Sequence, residues 1–196
     1  MIVGTYGARS WMELAAARAI PSAAAARPTQ LIAVHDTLGN ASSVRNAGAR
    51  AASSNWLCFL DADDELDPDY LREMEKLAAH TSLLLAPYVS YVSDGRRAAP
   101  QIPNAGQWPH SNDAVCGTLI SRELFEALGG WRQEFWPWND WELWLRAVNH
   151  GAIKLHVPKA VYYAHRRPNS ENSRLQRNVA LKLHSKVKAL YPEVFA

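Results

Sequence analysis

Asn55-Trp56-Leu57-Cys58-Phe59-Leu60-Asp61-Ala62-Asp63-Asp64-Glu65-Leu66-Asp67-Pro68-Asp69-Tyr70-Leu71 decides how this chain reads. Residues 56–60 are apolar and too few for a buried helix, so Asn55 to Leu60 reads as a core strand. The strand stops against Asp61, Asp63 and Asp64. Carboxylates this close repel one another, and a divalent cation offsets that cost most simply. Oxygen ligands suit Mg²⁺ or Mn²⁺ that keeps coordination positions for phosphate oxygens. The plainer alternative is an acidic turn in which Asp64 or Asp67 caps the helix that follows.

Outward from this stretch the elements alternate. Ile2 to Tyr6 is a β-prone run, followed by a helix from about Ser10 to Ala19 with Ser10 as N-cap and Glu13 completing a capping box. Pro21 and Pro28 bracket a linker. Gln30 to His35 reads as a core strand ending at Asp36, Ser43 to Ala52 as a helix, and Asp69 to His80 as another with Pro68 in its first turn. Strand, helix, strand, helix, strand, helix predicts a mostly parallel central sheet with helices on both faces, the α/β class. Ligands bind such sheets at the carboxyl ends of the strands, where Asp36 and Asp61 fall. Beyond Ser82 to Ser93, a strand or strand pair, Ala98 to His110 is a loop rich in Pro, Gly and Asn. Ala114 to Ile120 reads as a strand, Arg122 to Leu128 as a helix closed by Gly129-Gly130, and Trp138 to Asn149 as a helix closed by Gly151. A strand pattern over Ile153 to Tyr163 is broken by Pro158. Asn169 to Arg174 is polar loop, and Leu175 to Leu190 is an amphipathic helix.

The whole chain reads as one domain of 196 residues, 48% hydrophobic and 20% charged, which excludes disordered and fibrous classes. Two cysteines cannot build a disulfide framework or a thiolate metal site, and a reducing, cytoplasmic compartment is the simpler expectation. Apolar stretches are too short to span a bilayer. Met1 to Ala26 suits an amphipathic helix better than a signal peptide. The net charge of +2 hides an asymmetry: 12 Lys/Arg face 17 Asp/Glu up to His150, and 9 face 2 after it. Such a split fits a basic tail for nucleic acid or anionic membrane, or a positive segment folding over an anionic ligand, and composition does not choose between them. Five of the eight tryptophans fall between Trp131 and Trp144. Trp141 and Trp144, three apart, mark a buried helix face, and the cluster as a whole has two readings, a packed aromatic core or a platform for sugar rings or bases. Glu142 and Arg146, four apart, form a structural ion pair.

Val44-Arg45-Asn46-Ala47-Gly48, the strand, Asp61-Ala62-Asp63 and Pro68-Asp69-Tyr70-Leu71 together resemble the central signature of family 2 glycosyltransferases. A second block, in order, is similar to that family's acceptor side: Gly117-Thr118-Leu119-Ile120-Ser121-Arg122, Phe125 to Trp131, and Asn139-Asp140-Trp141-Glu142-Leu143-Trp144-Leu145-Arg146. The resemblance implies a GT-A fold acting on a nucleoside-diphosphate sugar, UDP-linked first, with Mn²⁺ or Mg²⁺. Residues 1–95 would form the nucleotide-sugar part, 96–165 the acceptor part, and 166–196 a basic loop and helix. Carried across, Thr5, Tyr6 and Asp36 would line the base pocket, and Arg45 and Asp61 would hold the nucleotide. Asp63 and His165 would hold the metal, Asp140 would be the catalytic base, and Arg166 would meet the diphosphate. Trp136, Trp138, His110 and Asp113 would contact the acceptor, a glycan, protein or lipid.

Inversion at an anomeric carbon needs a base on the attacking hydroxyl and positive charge on the leaving diphosphate, which Asp140 and Asp63 with its metal would supply. Nucleic acid is not an expected partner, whereas membrane-surface contact through the terminal helix stays open. Two other classes fit parts of the pattern. One is a carbohydrate-binding or scaffold protein on a decayed transferase fold, suggested by the short segment between Asp36 and Arg45. The other is a metal-dependent phosphohydrolase, with Asp61 phosphorylated.

Overall fold

Strand β1 (Ile2–Tyr6) lies between two parallel neighbours, and the computed structural model, which describes residues 1–78, 81–167 and 177–196, builds outward from it. On one side is β2 (Ile32–Asp36), in register from Ile2 opposite Ile32 to Tyr6 opposite Asp36. On the other, the strand read from residues 55–60 is split at Cys58 into β3 (Trp56–Leu57) and β4 (Phe59–Asp61). Its second half pairs with β1, and its first half enters a second, mixed sheet. That sheet contains β5 (Glu65–Leu66), β6 (Leu83–Ser93), β8 (Leu119–Ser121) and β9 (Ile153–His165), with β7 (Arg96–Arg97) paired to β6. Pairing in the first sheet is parallel throughout; in the second, β6 and β9 are parallel and the remaining pairs antiparallel. The parallel pairing expected of the alternating elements is thus found in β2-β1-β4 and between β6 and β9, and the rest of the second sheet is antiparallel.

Helix α3 (Ala41–Ala51) packs on β1 and β2. It begins two residues earlier than the periodicity suggested because Asn40 caps it, accepting from Ser43 N at 2.9 Å while Ser43 Oγ accepts from Asn40 N at 2.9 Å. Two glycines permit the close approach. A Cβ at Gly4 would lie 2.8 Å from Val44 Cγ2, and one at Gly48 would overlap Ile2 Cγ2, a buried β-branched side chain with little freedom to move. Gly48→Ala is therefore expected to cost about 1–3 kcal/mol of stability in urea unfolding, although alanine favours a helix elsewhere.

Several local expectations are corrected. Ser10 is the first residue of α1 (Ser10–Ala17) rather than its cap; Arg9 precedes it with helical dihedrals and no side-chain cap bond. The supposed Pro21–Pro28 linker is largely a second helix, α2 (Ala19–Ala25), since Pro21 sits in its first turn, where a missing N–H removes no helical bond. Helix α4 (Tyr70–Glu75) is shorter than predicted, and His80 lies outside the described residues. Pro158 does not end β9. Pairing with β6 jumps from Pro87–Val157 to Tyr88–Val161, so residues 158–160 bulge and the missing donor costs no ladder bond.

Helix α5 (Arg122–Ala127) is capped by Ser121, and α6 (Asn139–Asn149) buries Trp141, Leu143, Trp144 and Leu145. Trp131, Trp141 and Trp144 are core residues, as the spacing of the last two implied; Trp136 and Trp138 are half-buried. The C-terminal helix α7 (Arg177–Leu190) docks by Val187 on a small second cluster with Phe135, Trp141, Leu145 and Tyr191. No helix among the described residues is long and apolar enough to cross a membrane.

Candidate active site

β4 delivers Asp61 to its carboxyl end, and a tight turn, with Asp64 N donating to Asp61 O at 3.1 Å, follows it. The three carboxylates of this turn have separate surroundings. Asp61 Oδ1 accepts from Arg45 Nη2 at 2.5 Å. Asp63 Oδ2 meets Arg167 Nη2 at 2.5 Å, while Arg18 Nη1 binds the Asp63 carbonyl at 2.8 Å. Asp64 accepts from the Tyr162 hydroxyl and from His165 N, both at 2.8 Å, which ties the turn to the end of β9. Burial, and then the neighbouring Asp61 charge, push the Asp63 carboxyl up, with Arg167 opposing. Asp64 is pushed up further by burial and by both neighbours. The acidic turn thus calls for positive charge, and at Asp63 a guanidinium supplies it.

Arg45 is also fixed from below. Its guanidinium lies over the Trp131 ring at 4.7 Å, and Asn46 grips the same residue's backbone, Nδ2 donating to Trp131 O and Trp131 N donating to Oδ1, both at 2.9 Å. The Arg45-Asn46 pair is therefore one device: the amide sets the Trp131 platform, and the platform orients the cation. Asn46 was quoted in the motif without this role, which depends on a partner 85 residues away.

Asp140 stands in the first turn of α6, accepting from Trp141 N at 2.7 Å. Asn139 beside it is buried and donates to Ser42 Oγ at 3.0 Å, which joins the start of α6 to α3. Burial raises the Asp140 carboxyl to about 6, the Trp141 N–H and the Arg45 charge opposing and the Asp61 charge adding. The structure therefore brings Arg45, Asp61 and Asp140 into one electrostatic unit. A carboxylate that titrates near neutrality at a helix N-terminus suits general-base work.

Other candidates lie as follows. Thr5 is buried, its hydroxyl bound to His35 Nδ1 at 2.9 Å. Tyr6 stands edge-on to Trp136, ring centres 6.3 Å apart, so the end of β1 meets the segment leading into α6. Asp36 is exposed and turns back on Leu38 N at 3.0 Å. His165 does not join Asp63: its Nε2 lies 2.5 Å from Glu65 Oε2, because β5 and β9 pair antiparallel there. Arg166 lies over the Tyr91 ring at 4.4 Å, and Arg167, not Arg166, reaches the acidic turn. The loop residues Pro168 to Ser170 lie outside the described residues. Trp138 packs edge-on to Trp141. His110 packs its ring on Phe195, and its carbonyl accepts from His184 Nε2 at 3.3 Å. The Asp113 carboxylate is bound to Lys154 and, at 3.1 Å, to His156. Among the described residues no three His, Cys, Asp or Glu side chains converge as a metal-binding group. The hard oxygens of Asp61 and Asp63 and their mutual repulsion nevertheless fit a divalent cation with Asp63 as its holder.

The parallel strands β2-β1-β4 under α3, continued through β3 into a mixed sheet, form the α/β layout of a GT-A domain. Similar solved structures agree on that fold: S. aureus TarS 1–349 in complex with UDP-GlcNAc (TM-score 0.67, 16% identity, 96% of this chain and 64% of that one), S. aureus TarS (0.63, 15%, 92% and 38%), and TarS 1–349 in complex with UDP (0.60, 14%, 85% and 61%). The chain spans less than two thirds of the length of these structures. Residues 19–129 match the profile of Glycosyl transferase family 2, more than half of the sequence, and the chain belongs to that family. A search of curated proteins finds no match.

Proposed function

We propose that this domain is a metal-dependent inverting glycosyltransferase that moves a sugar from a nucleoside-diphosphate sugar, UDP-linked, to an acceptor hydroxyl. The observation that carries the reading is the joining of Asp140, with its carboxyl raised to about 6, to the Arg45–Asp61 pair at the end of β4. Asp61 and Arg45 hold the nucleotide side. Asp140 takes the proton of the acceptor hydroxyl as it attacks the anomeric carbon opposite the departing diphosphate. Asp63 is the residue that would hold Mn²⁺ or Mg²⁺, which supplies charge neutralisation to the leaving diphosphate when bound. Tyr6 and Trp136 form an aromatic corner beside the base, suited to stacking a ring of donor or acceptor. The choice of UDP is supported by the solved complexes of TarS with UDP-GlcNAc and UDP, whose fold this chain shares.

A thermal-shift comparison of UDP, GDP, CDP and dTDP with and without Mn²⁺ tests the donor. UDP with Mn²⁺ at 100 times its Kd is expected to add about 2.7 kcal/mol. That corresponds to a Tm rise of about 5–10 °C for a chain of this size. A flat response to all four nucleotides, with and without metal, would favour a carbohydrate-binding scaffold on the same fold.

A further inference from the structure

Helix α3 offers one face to the segment that leads into Asp140. Ser42, Arg45 and Asn46 stand within one helical turn, at spacings of three and four, and so share that face. Asn46 holds the backbone of Trp131 by two hydrogen bonds at 2.9 Å. Close beside it, Ser42 Oγ accepts from Asn139 Nδ2 at 3.0 Å, and Ser42 N donates to Gln133 Oε1 at 3.5 Å. Residues 131–139 are thus clasped to α3 at both ends, and Arg45, between the clasps in sequence, turns to Asp61.

The second clasp falls where α6 begins. Asn139 is the first residue of that helix and Asp140 the second, and Trp138 before them makes no side-chain cap bond. The bond from Trp141 N to Asp140 Oδ1 fixes the carboxylate on its own helix. It does not fix α6 against the donor side. The Trp141 indole reaches Pro109 O, on the loop, rather than α3. Asn139 and Ser42 supply the missing constraint: they are 2% and 3% exposed, so water does not replace either partner, and their bond spans 97 residues. We infer that Asn139 is a positioning residue that, with Ser42, sets the start of α6, and therefore Asp140, against the helix that carries Arg45. The inference rests on the base reading of Asp140 for its kinetic meaning, and the clasp itself is tested without turnover.

The test is a double-mutant cycle of Ser42→Ala, Asn139→Ala and the pair, in the full chain with Mn²⁺ and UDP-GlcNAc. In each single variant kcat for UDP release is expected to fall about tenfold while the KM for UDP-GlcNAc stays within about twofold, as for a displaced base beside an intact donor site. The double variant should fall no further, because both changes remove the same bond. Ser42→Ala takes one oxygen from a helix and decides the matter even if Asn139→Ala folds poorly. Amide hydrogen exchange is the readout without turnover: the Trp141 N–H, bound to Asp140, is expected to exchange roughly fivefold faster in Ser42→Ala, while Val3 and Leu60 in the central strands keep their protection. Equal loss of protection at all three, or none at Trp141, overturns the inference, as do single effects on kcat that multiply in the double variant. If Trp141 responds as expected but wild type releases no UDP, the transferase reading fails and the positioning of Asp140 stands.

Discussion

Asp140→Asn is expected to leave Mn²⁺–UDP binding intact and to lower sugar transfer by about 10²–10⁴-fold, the contribution of a positioned general base. The amide keeps an oxygen for the Trp141 N–H bond that now holds the carboxylate, so the start of α6 should persist. The wild-type pH dependence follows from the direction of the shift. Burial favours the protonated form of Asp140, and only the ionised form accepts a proton. Activity therefore rises with pH, half-maximal near 6, and is flat above it. Calorimetry of UDP binding together with a pH–rate profile checks both halves. A variant that turns over at the wild-type rate removes Asp140 from the base role.

Arg146→Met is the substitution with the largest expected effect on stability. Glu142 is fully buried in α6 and has Arg146 Nη2 at 3.0 Å, the Tyr191 hydroxyl at 2.5 Å and Arg132 Nη1 at 3.5 Å. Arg146 in turn donates to Leu128 O and, at 2.7 Å, to Gly130 O, which fixes the turn leading to Trp131. Removing the guanidinium leaves a buried carboxylate short of positive charge and two carbonyls without a donor. About 3–5 kcal/mol of stability is expected to be lost, measured by urea unfolding at pH 7. The double variant Glu142→Leu with Arg146→Met should recover part of that loss, because the uncompensated charge is gone. A single variant within about 0.5 kcal/mol of wild type would mean that the network is not a net stabiliser. The site would also register the change, since the turn held by Arg146 ends at the ring under Arg45.

Much of the frame was legible because its signals are local. The apolar run ending at Asp61 needs only its own composition to be a core strand. Trp141 and Trp144 declare a buried face by spacing, and Glu142 and Arg146 lie one helical turn apart, so their pairing follows from the helix alone. Local reading failed where two local rules compete. Ser10 is a good cap but lies inside the helix, and Pro21 is a good breaker but sits where a breaker does no harm.

At the site, residue types and their order along the chain determined which side chains carry charge and which strand and helix end would present them: Asp61, Asp63 and Asp140 each follow from position within one element. Only the tertiary structure decided what each acid faces. Asp63 meets Arg167, Asp64 is spent on Tyr162 and His165 N, His165 turns to Glu65, and Asp113 anchors a loop. Those pairings join residues 41 to 104 positions apart, through strand register and loop closure. Charge interactions and desolvation depend on separations in space and on burial, and the sequence at any one acid carries neither.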